Sequence, residues 1–217
     1  MKMKQLLPIA LIATMLTPAA FAATPAPTTP TNTASQQLQL TVDPFINIWV
    51  KGSHSQEPIK PKEDYTKFDL ETALSVDFGV ITNKNDEKIL LTVKDSTLNT
   101  LLATDGNILR IAFVNQTPSA AVNQAAVDAA LKKSGKDLSP NVIAMDFDQT
   151  TTFELGGKTP TADIGSDDEA GKSVTYTLHS GTYNFNFKSK MTETESFSTS
   201  DESGTYKTTI TLSQTGV

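Results

Sequence analysis

The side chains that most often carry catalysis are scarce in this chain. It has no cysteine and only two histidines, His54 within GSHSQE and His179 beside a turn. Neither histidine stands in the spacing that a nucleophile or a metal site requires, such as G-x-S-x-G or H-E-x-x-H. The lack of cysteine excludes disulfides, thiolate metal ligands and a cysteine nucleophile. The sequence therefore predicts no enzyme built on these groups.

Carboxylates are the second candidate chemistry, and they form two clusters. DIGSDDEAG contains Asp163, Asp167, Asp168 and Glu169, and MDFDQ contains Asp146 and Asp148. Acidic loops can bind calcium, but neither cluster has the regular spacing of a D-x-D-x-D-G loop. We interpret 163–169 as a solvated acidic loop and predict no metal or other cofactor. A secreted hydrolase that uses Asp146 and Asp148 stays open as an alternative, because distant carboxylates can converge in a fold.

The N-terminal residues carry the signals of an exported protein. Residues 1–22, MKMKQLLPIALIATMLTPAAFA, combine Lys2 and Lys4 with an apolar run and a small-residue end, which predicts a signal peptide cleaved after Ala22. Cleavage removes two lysines and takes the formal net charge from −6 to −8. Such an acidic chain does not fit a nucleic-acid or anionic-membrane partner. Residues 23–37 are rich in Pro and Thr and predict a flexible tether.

A short alternating segment follows this tether. Residues 38–44, LQLTVDP, place Leu38, Leu40 and Val42 on one face, which is the pattern of a half-buried β-strand. Pro44 marks the end of that strand, since a proline cannot donate to a ladder. A strand on a tether can pair with its own sheet, or it can fill a gap in a neighbouring molecule.

Residues 45–217 predict one domain made of many short strands. Three pairs of alternating segments flank turn signals and predict hairpins: 73–81 with 88–94, 98–103 with 108–114, and 173–179 with 182–188. A last strand over 205–213 closes the chain. Short strands separated by Gly, Asn and Asp turns favour an all-β fold, an immunoglobulin-like antiparallel β-sandwich.

Three stretches differ from this strand pattern. The Ala-rich SAAVNQAAVDAALKKSG predicts one inserted helix with Ser119 as N-cap and Gly135 as C-cap. The polar segment 191–204 predicts a long exposed loop. Trp49, the single tryptophan, lies in an apolar segment, and we expect it to pack in the core.

Both ends of the domain resemble one protein family. QLTVDP, residues 39–44, resembles the TVxVDP-like N-terminal segment of the alpha-class chaperone–usher major pilins, the cysteine-free colonisation-factor type. SGTYKTTITLSQ, residues 203–214, resembles the Gly-x-Tyr closing strand of the same family, with Gly204 and Tyr206 in the matching places. The resemblance implies an incomplete sandwich that lacks one strand and is completed by a donor strand.

The same resemblance implies a function, partners and site residues. The subunit would be held by a periplasmic chaperone, pass an outer-membrane usher and polymerise head to tail with identical or related subunits into a surface fimbria that supports adhesion. The implied donor residues are Leu38, Leu40 and Val42, and the implied acceptor-groove and chaperone-facing residues are Tyr206, Ile210 and Leu212. A monomeric secreted or periplasmic β-sandwich binding module stays open as the alternative, in which residues 38–42 pair with their own sheet.

Overall fold

The computed structural model of the chain describes residues 37, 39–55, 59–61, 68–70, 72–104, 108–132, 140–155, 158–164, 171–190 and 201–215. Contacts divide the chain into two units, Met1–Thr41 and Val42–Val217. The predicted signal peptide, most of the tether and most of the loop at 191–204 lie outside the described residues.

The described residues of the second unit form fourteen strands and one helix. In chain order they are β1 (Ile46–His54), β2 (Ile59–Pro61), β3 (Phe68–Leu70), β4 (Ser75–Thr82), β5 (Glu87–Asp95), β6 (Leu98–Asn99), β7 (Leu101–Thr104), β8 (Ile108–Asn115), α1 (Gln124–Leu131), β9 (Val142–Leu155), β10 (Thr161–Ile164), β11 (Ser173–Leu178), β12 (Gly181–Ser189), β13 (Tyr206–Lys207) and β14 (Thr209–Gln214).

Two antiparallel sheets make up the body of the molecule. The seven-stranded sheet has the order β1-β4-β12-β9-β8-β13, with β7 also paired to β8. The five-stranded sheet has the order β10-β11-β5-β14, with β6 also paired to β5, and β2 and β3 form a separate hairpin. The predicted all-β, sandwich-like fold with one short helix is therefore confirmed.

The core lies between the sheets because each strand alternates apolar and polar residues. In β12 the aromatic residues Tyr183, Phe185 and Phe187 are buried, while Asn184 between them lies on the opposite face of the strand. The ring of Phe185 lies 5.0 Å from the ring of Tyr176 in the other sheet, measured between centroids. Aromatic pairs at this distance join the two sheets.

Two of the three predicted hairpins are wrong. Strands β4 and β5 belong to different sheets, and so do β11 and β12, although each pair is consecutive in the chain. Their alternating residues do face a common core, but they meet across it instead of side by side. The third hairpin is confirmed, since β7 and β8 pair from Leu101 opposite Ile111 to Thr104 opposite Ile108.

The helix is confirmed in place but is shorter than predicted. It runs over Gln124–Leu131, and Asn123, not Ser119, is its N-cap: the side-chain oxygen of Asn123 accepts from the backbone N–H of Ala126. Ser119 instead donates to the carboxylate of Glu202 through both its backbone N–H and its hydroxyl. The predicted C-cap, Gly135, lies outside the described residues.

Trp49 does not pack in the core as predicted. It lies on the outer face of β1 and is 38% exposed. Successive side chains of a strand point to opposite faces. Because Ile48 packs against the core, the next residue, Trp49, points to the outer face, and the prediction was wrong.

Candidate functional site

The segment at 38–44 has a strand-like sequence. Its described residues, 39–44, form no strand in the structure. Leu40 is 95% exposed and Val42 is 77% exposed, and they are the two most exposed large apolar side chains among the described residues. Leu38 lies outside the described residues. Alternating apolar side chains that face solvent are unfavourable in an isolated subunit, so this segment is a candidate for association.

The chain directly after this segment is held firmly to the sandwich. The amide of Asn83 accepts from the backbone N–H of Phe45 (2.7 Å) and donates to the backbone oxygen of Asp43 (2.9 Å). The backbone N–H of Asn83 and the hydroxyl of Thr82 both donate to the backbone oxygen of Phe45, at 3.3 and 3.0 Å. These bonds fix the point from which the N-terminal segment leaves the domain, and the sequence analysis did not identify them.

The predicted last strand divides between the two sheets. Tyr206 lies in β13, which pairs with β8 in the seven-stranded sheet. After Thr208 the chain enters the five-stranded sheet as β14, where Ile210 is half-buried and Leu212 is buried. Tyr206 therefore does not share a strand with Ile210 and Leu212, and only these two lie on the edge strand.

Strand β14 has one open edge among the described strands, because it pairs with β5 alone. In an antiparallel ladder, alternate residue pairs exchange hydrogen bonds. The backbone N–H of Thr215 donates to the backbone oxygen of Lys88 on β5 (3.0 Å). By the same alternation, Ser213, Thr211 and Thr209 turn their backbone groups toward β5. Val93, the β5 partner of Ile210, turns its backbone oxygen away from β14 and accepts from the backbone N–H of Thr100 (3.0 Å). This bond agrees with the alternation.

It follows that every second residue of β14 turns its backbone groups to the open edge. These residues are Ile210, Leu212 and Gln214. The side chains of Ile210 and Leu212 face the core, whereas those of Thr209 and Thr211 are exposed. An added strand would thus find free backbone N–H and C=O groups at residues whose side chains face the core.

The glycine of the Gly-x-Tyr motif has a packing reason. A Cβ atom at Gly204 would lie 2.5 Å from Oδ1 of Asn115, which is closer than van der Waals contact permits. Asn115 is 2% exposed and donates to the side chain of Asn141 (2.9 Å). Only glycine lets the chain pass over this buried amide on its way into the last strands.

The tyrosine of the motif fixes the same corner. Its hydroxyl lies 2.7 Å from the backbone oxygens of both Pro140 and Glu202, and these two acceptors share its single proton. Burial and, to a smaller extent, the nearby carboxylate of Asp201 together raise the pKa of Tyr206 to about 12. The Gly-x-Tyr motif therefore positions the chain ahead of β14 without contacting the open edge.

This pKa predicts how stability changes at alkaline pH. The folded protein holds the proton of Tyr206 more tightly than the unfolded chain, whose tyrosines have a pKa near 10.0. Stability from this group is therefore complete below pH 10 and is lost as pH rises toward 12. Burial also raises the pKa of Tyr176, which acts in the same direction. We expect Tyr206→Phe to weaken the decline in unfolding free energy above pH 10, measured by urea denaturation, while parallel curves would contradict this origin.

The structure describes both carboxylates of the hydrolase alternative. Asp146 pairs with Arg110 (2.7 Å) and Asp148 with Lys190 (2.9 Å), so both carboxylates of the hydrolase alternative are bound to cations. The described part of the chain contains no group of three or more His, Cys, Asp or Glu side chains that could hold a metal ion. No helix within it has the length and apolar character to span a membrane.

Comparisons with known proteins do not assign a family. No family model, no curated protein and no solved structure matched the chain significantly.

Proposed function

We propose that this protein is a structural subunit of a surface fimbria and that it polymerises by strand donation. The observation that carries the proposal is the combination of an exposed alternating segment, with Leu40 and Val42 in solvent, and an open edge on the last strand. An extended segment that adds to a sheet edge gains affinity from main-chain hydrogen bonds and specificity from alternate side chains. Each subunit has both halves of such a contact.

The two halves match in spacing. Residues that face each other across an antiparallel ladder place their side chains on the same side of the sheet. A donor residue opposite Ile210 or Leu212 therefore points toward the core, where an apolar side chain is favoured. The donor offers an apolar side chain at every second position: Leu38, Leu40 and Val42.

The expected free energy is large enough to hold a fibre together. Burial contributes about 1.5–3 kcal/mol for each large apolar side chain, so three of them contribute roughly 5–9 kcal/mol before the cost of ordering the segment. That amount approaches the stability of a whole small domain, about 5–15 kcal/mol. A donor that leaves one subunit and enters the next makes a head-to-tail contact, and such contacts build open filaments.

The proposal includes partners and a location. Before assembly, the open edge of β14 would need cover, and a periplasmic chaperone that pairs with Ile210 and Leu212 would supply it. An outer-membrane usher would exchange the chaperone for the next donor, so the protein would reach the cell surface through the periplasm. The N-terminal residues 1–22 support export.

Disulfide trapping tests this contact, and the cysteine-free chain makes it a clean experiment. One chain carries Thr41→Cys, next to the donor residues, and a second chain carries Thr211→Cys, whose side chain is exposed on β14. When the two are assembled together and oxidised, we expect covalent dimers on a non-reducing gel. Cross-strand neighbours approach the Cβ spacing that a disulfide needs.

The control places the second cysteine on an interior strand. Thr175 of β11 pairs on both sides, with β10 and β5, so no donor can add beside it. Thr41→Cys with Thr175→Cys should give no more dimer than random collision. Thr209→Cys and Ser213→Cys test the registers shifted by two residues in either direction. Failure of all three β14 positions would contradict strand donation at this edge.

A further inference from the structure

The outer face of the seven-stranded sheet carries an exposed aromatic side chain on a polar surface. Trp49 pairs with Gly79 across β1 and β4. A Cβ atom at Gly79 would lie 2.3 Å from two carbons of the Trp49 indole ring, so the ring lies directly over this glycine. The indole is nevertheless 38% exposed. It forms a platform with one side on the sheet and the rest open to solvent.

Polar side chains continue this row across the sheet. Asn184 of β12 pairs with Gly79, and Thr152 of β9 pairs with Asn184. Side chains that pair directly across strands lie on the same face. The side-chain oxygen of Asn184 is buried and has no hydrogen-bond partner, which is rare for a buried acceptor.

A second polar row lies two residues along β4, β12 and β9, and three residues along β1, where the register shifts between Val50 and Gly52. It contains Gly52, Asp77, Asn186 and Thr150. The amide of Asn186 donates to the carboxylate of Asp77 (2.6 Å). A Cβ atom at Gly52 would lie 3.9 Å from the other carboxylate oxygen of Asp77, which is an ordinary van der Waals distance.

We propose that this face, defined by Trp49, Asp77, Thr152, Asn184 and Asn186, binds a neutral carbohydrate. A sugar ring presents C–H groups on its faces and hydroxyls around its rim. The indole offers an apolar surface to the C–H groups. The amides of Asn184 and Asn186 can donate to the sugar hydroxyls, and the carboxylate of Asp77 can accept from them. Most of these protein groups are neutral, which suits a polyol better than an ionic ligand.

The size of the site agrees with this ligand. Strands lie about 4.8 Å apart, so the four strands span roughly 14 Å, the length of two or three linked sugar rings. The proposal goes beyond the fibre function, because it uses neither the donor segment nor the edge of β14.

The experiment uses Trp49 as its own reporter, since the chain has no other tryptophan. The full mature protein is titrated with lactose, maltotriose, mannotriose and N,N′-diacetylchitobiose, with glycerol as a control. We expect at least one oligosaccharide to change the fluorescence in a saturable way, and glycerol to have no effect. No saturable change with any of the four would overturn the proposal.

Two variants identify the residues responsible. Asn186→Ala should weaken binding of the active sugar about tenfold, which corresponds to loss of one important polar contact. Asn85→Ala removes an amide from the turn after β4, outside the site, and should leave the affinity unchanged; thermal melting must be normal in both. Equal affinity in the two variants would overturn the assignment. A fluorescence change on polymerisation alone, without any sugar response, would assign the face to a contact between copies and also overturn it.

Discussion

Replacing Leu40 by aspartate should leave a folded subunit that no longer forms fibres. Leu40 is 95% exposed in the subunit, so the substitution removes no packing there and should not lower the melting temperature. In the assembled fibre the same side chain would face a neighbour's core, where an unpaired carboxylate costs several kcal/mol. We therefore expect polymer, measured by size-exclusion chromatography and electron microscopy, to fall by at least a hundredfold.

The matched control is the adjacent residue. Gln39→Asp introduces the same charge one position away, where the alternation turns the side chain to the opposite face of the donor. This variant should assemble nearly as well as the natural protein. Normal fibres from Leu40→Asp, or equal loss in both variants, would show that alternate side chains of this segment do not enter a core.

Replacing Phe185 by alanine should remove a large part of the domain's free energy of unfolding. Phe185 is 0% exposed, and its ring lies 5.0 Å from Tyr176 and 6.5 Å from Tyr183. Removing a buried phenyl group costs about 3–5 kcal/mol through lost transfer energy and the cavity that remains. A domain of this size has only about 5–15 kcal/mol of stability. Chemical denaturation of the monomer measures the loss.

The control for this prediction is another phenylalanine of the same sheet. Phe153 on β9 is 45% exposed, so Phe153→Ala removes much less buried area and should cost clearly less. Similar losses in the two variants would mean that the space between the sheets is not the main core of the domain.

Sequence alternation predicted which side chains are buried but not which strands are neighbours. Val80 in β4 and Leu91 in β5 are both fully buried, as the pattern indicated, yet their strands lie in different sheets. Alternation shows that one face of a strand is buried. The pattern is the same whether the next strand pairs beside it in the sheet or packs against it across the core. Strand pairing therefore needed the three-dimensional structure.

The candidate site was predictable to a similar extent. The alternation at Leu40 and Val42 and the Gly-x-Tyr motif are visible in the sequence, but the reasons behind them are long-range. Asn115 lies 89 positions before Gly204, and the turn residue Asn83 contacts Asp43 across 40 positions. No local pattern marks such partners.

The open edge and the tryptophan show the same limit. Whether β14 has a neighbour depends on the strand order of the sheet, and the exposure of Trp49 depends on glycine at position 79 in another strand. Local sequence sets neither property. Both became clear only when the register between strands was known.

A comparison of unheated and boiled samples on a denaturing gel tests the central claim most directly. The sample is the native protein extracted from cell surfaces. Subunits joined by donated strands are trapped behind a folding barrier, so the unheated lane should show a ladder of multiples of the subunit mass, and boiling should collapse it to one band. A single monomer band in both lanes would contradict strand donation and favour a monomeric binding module.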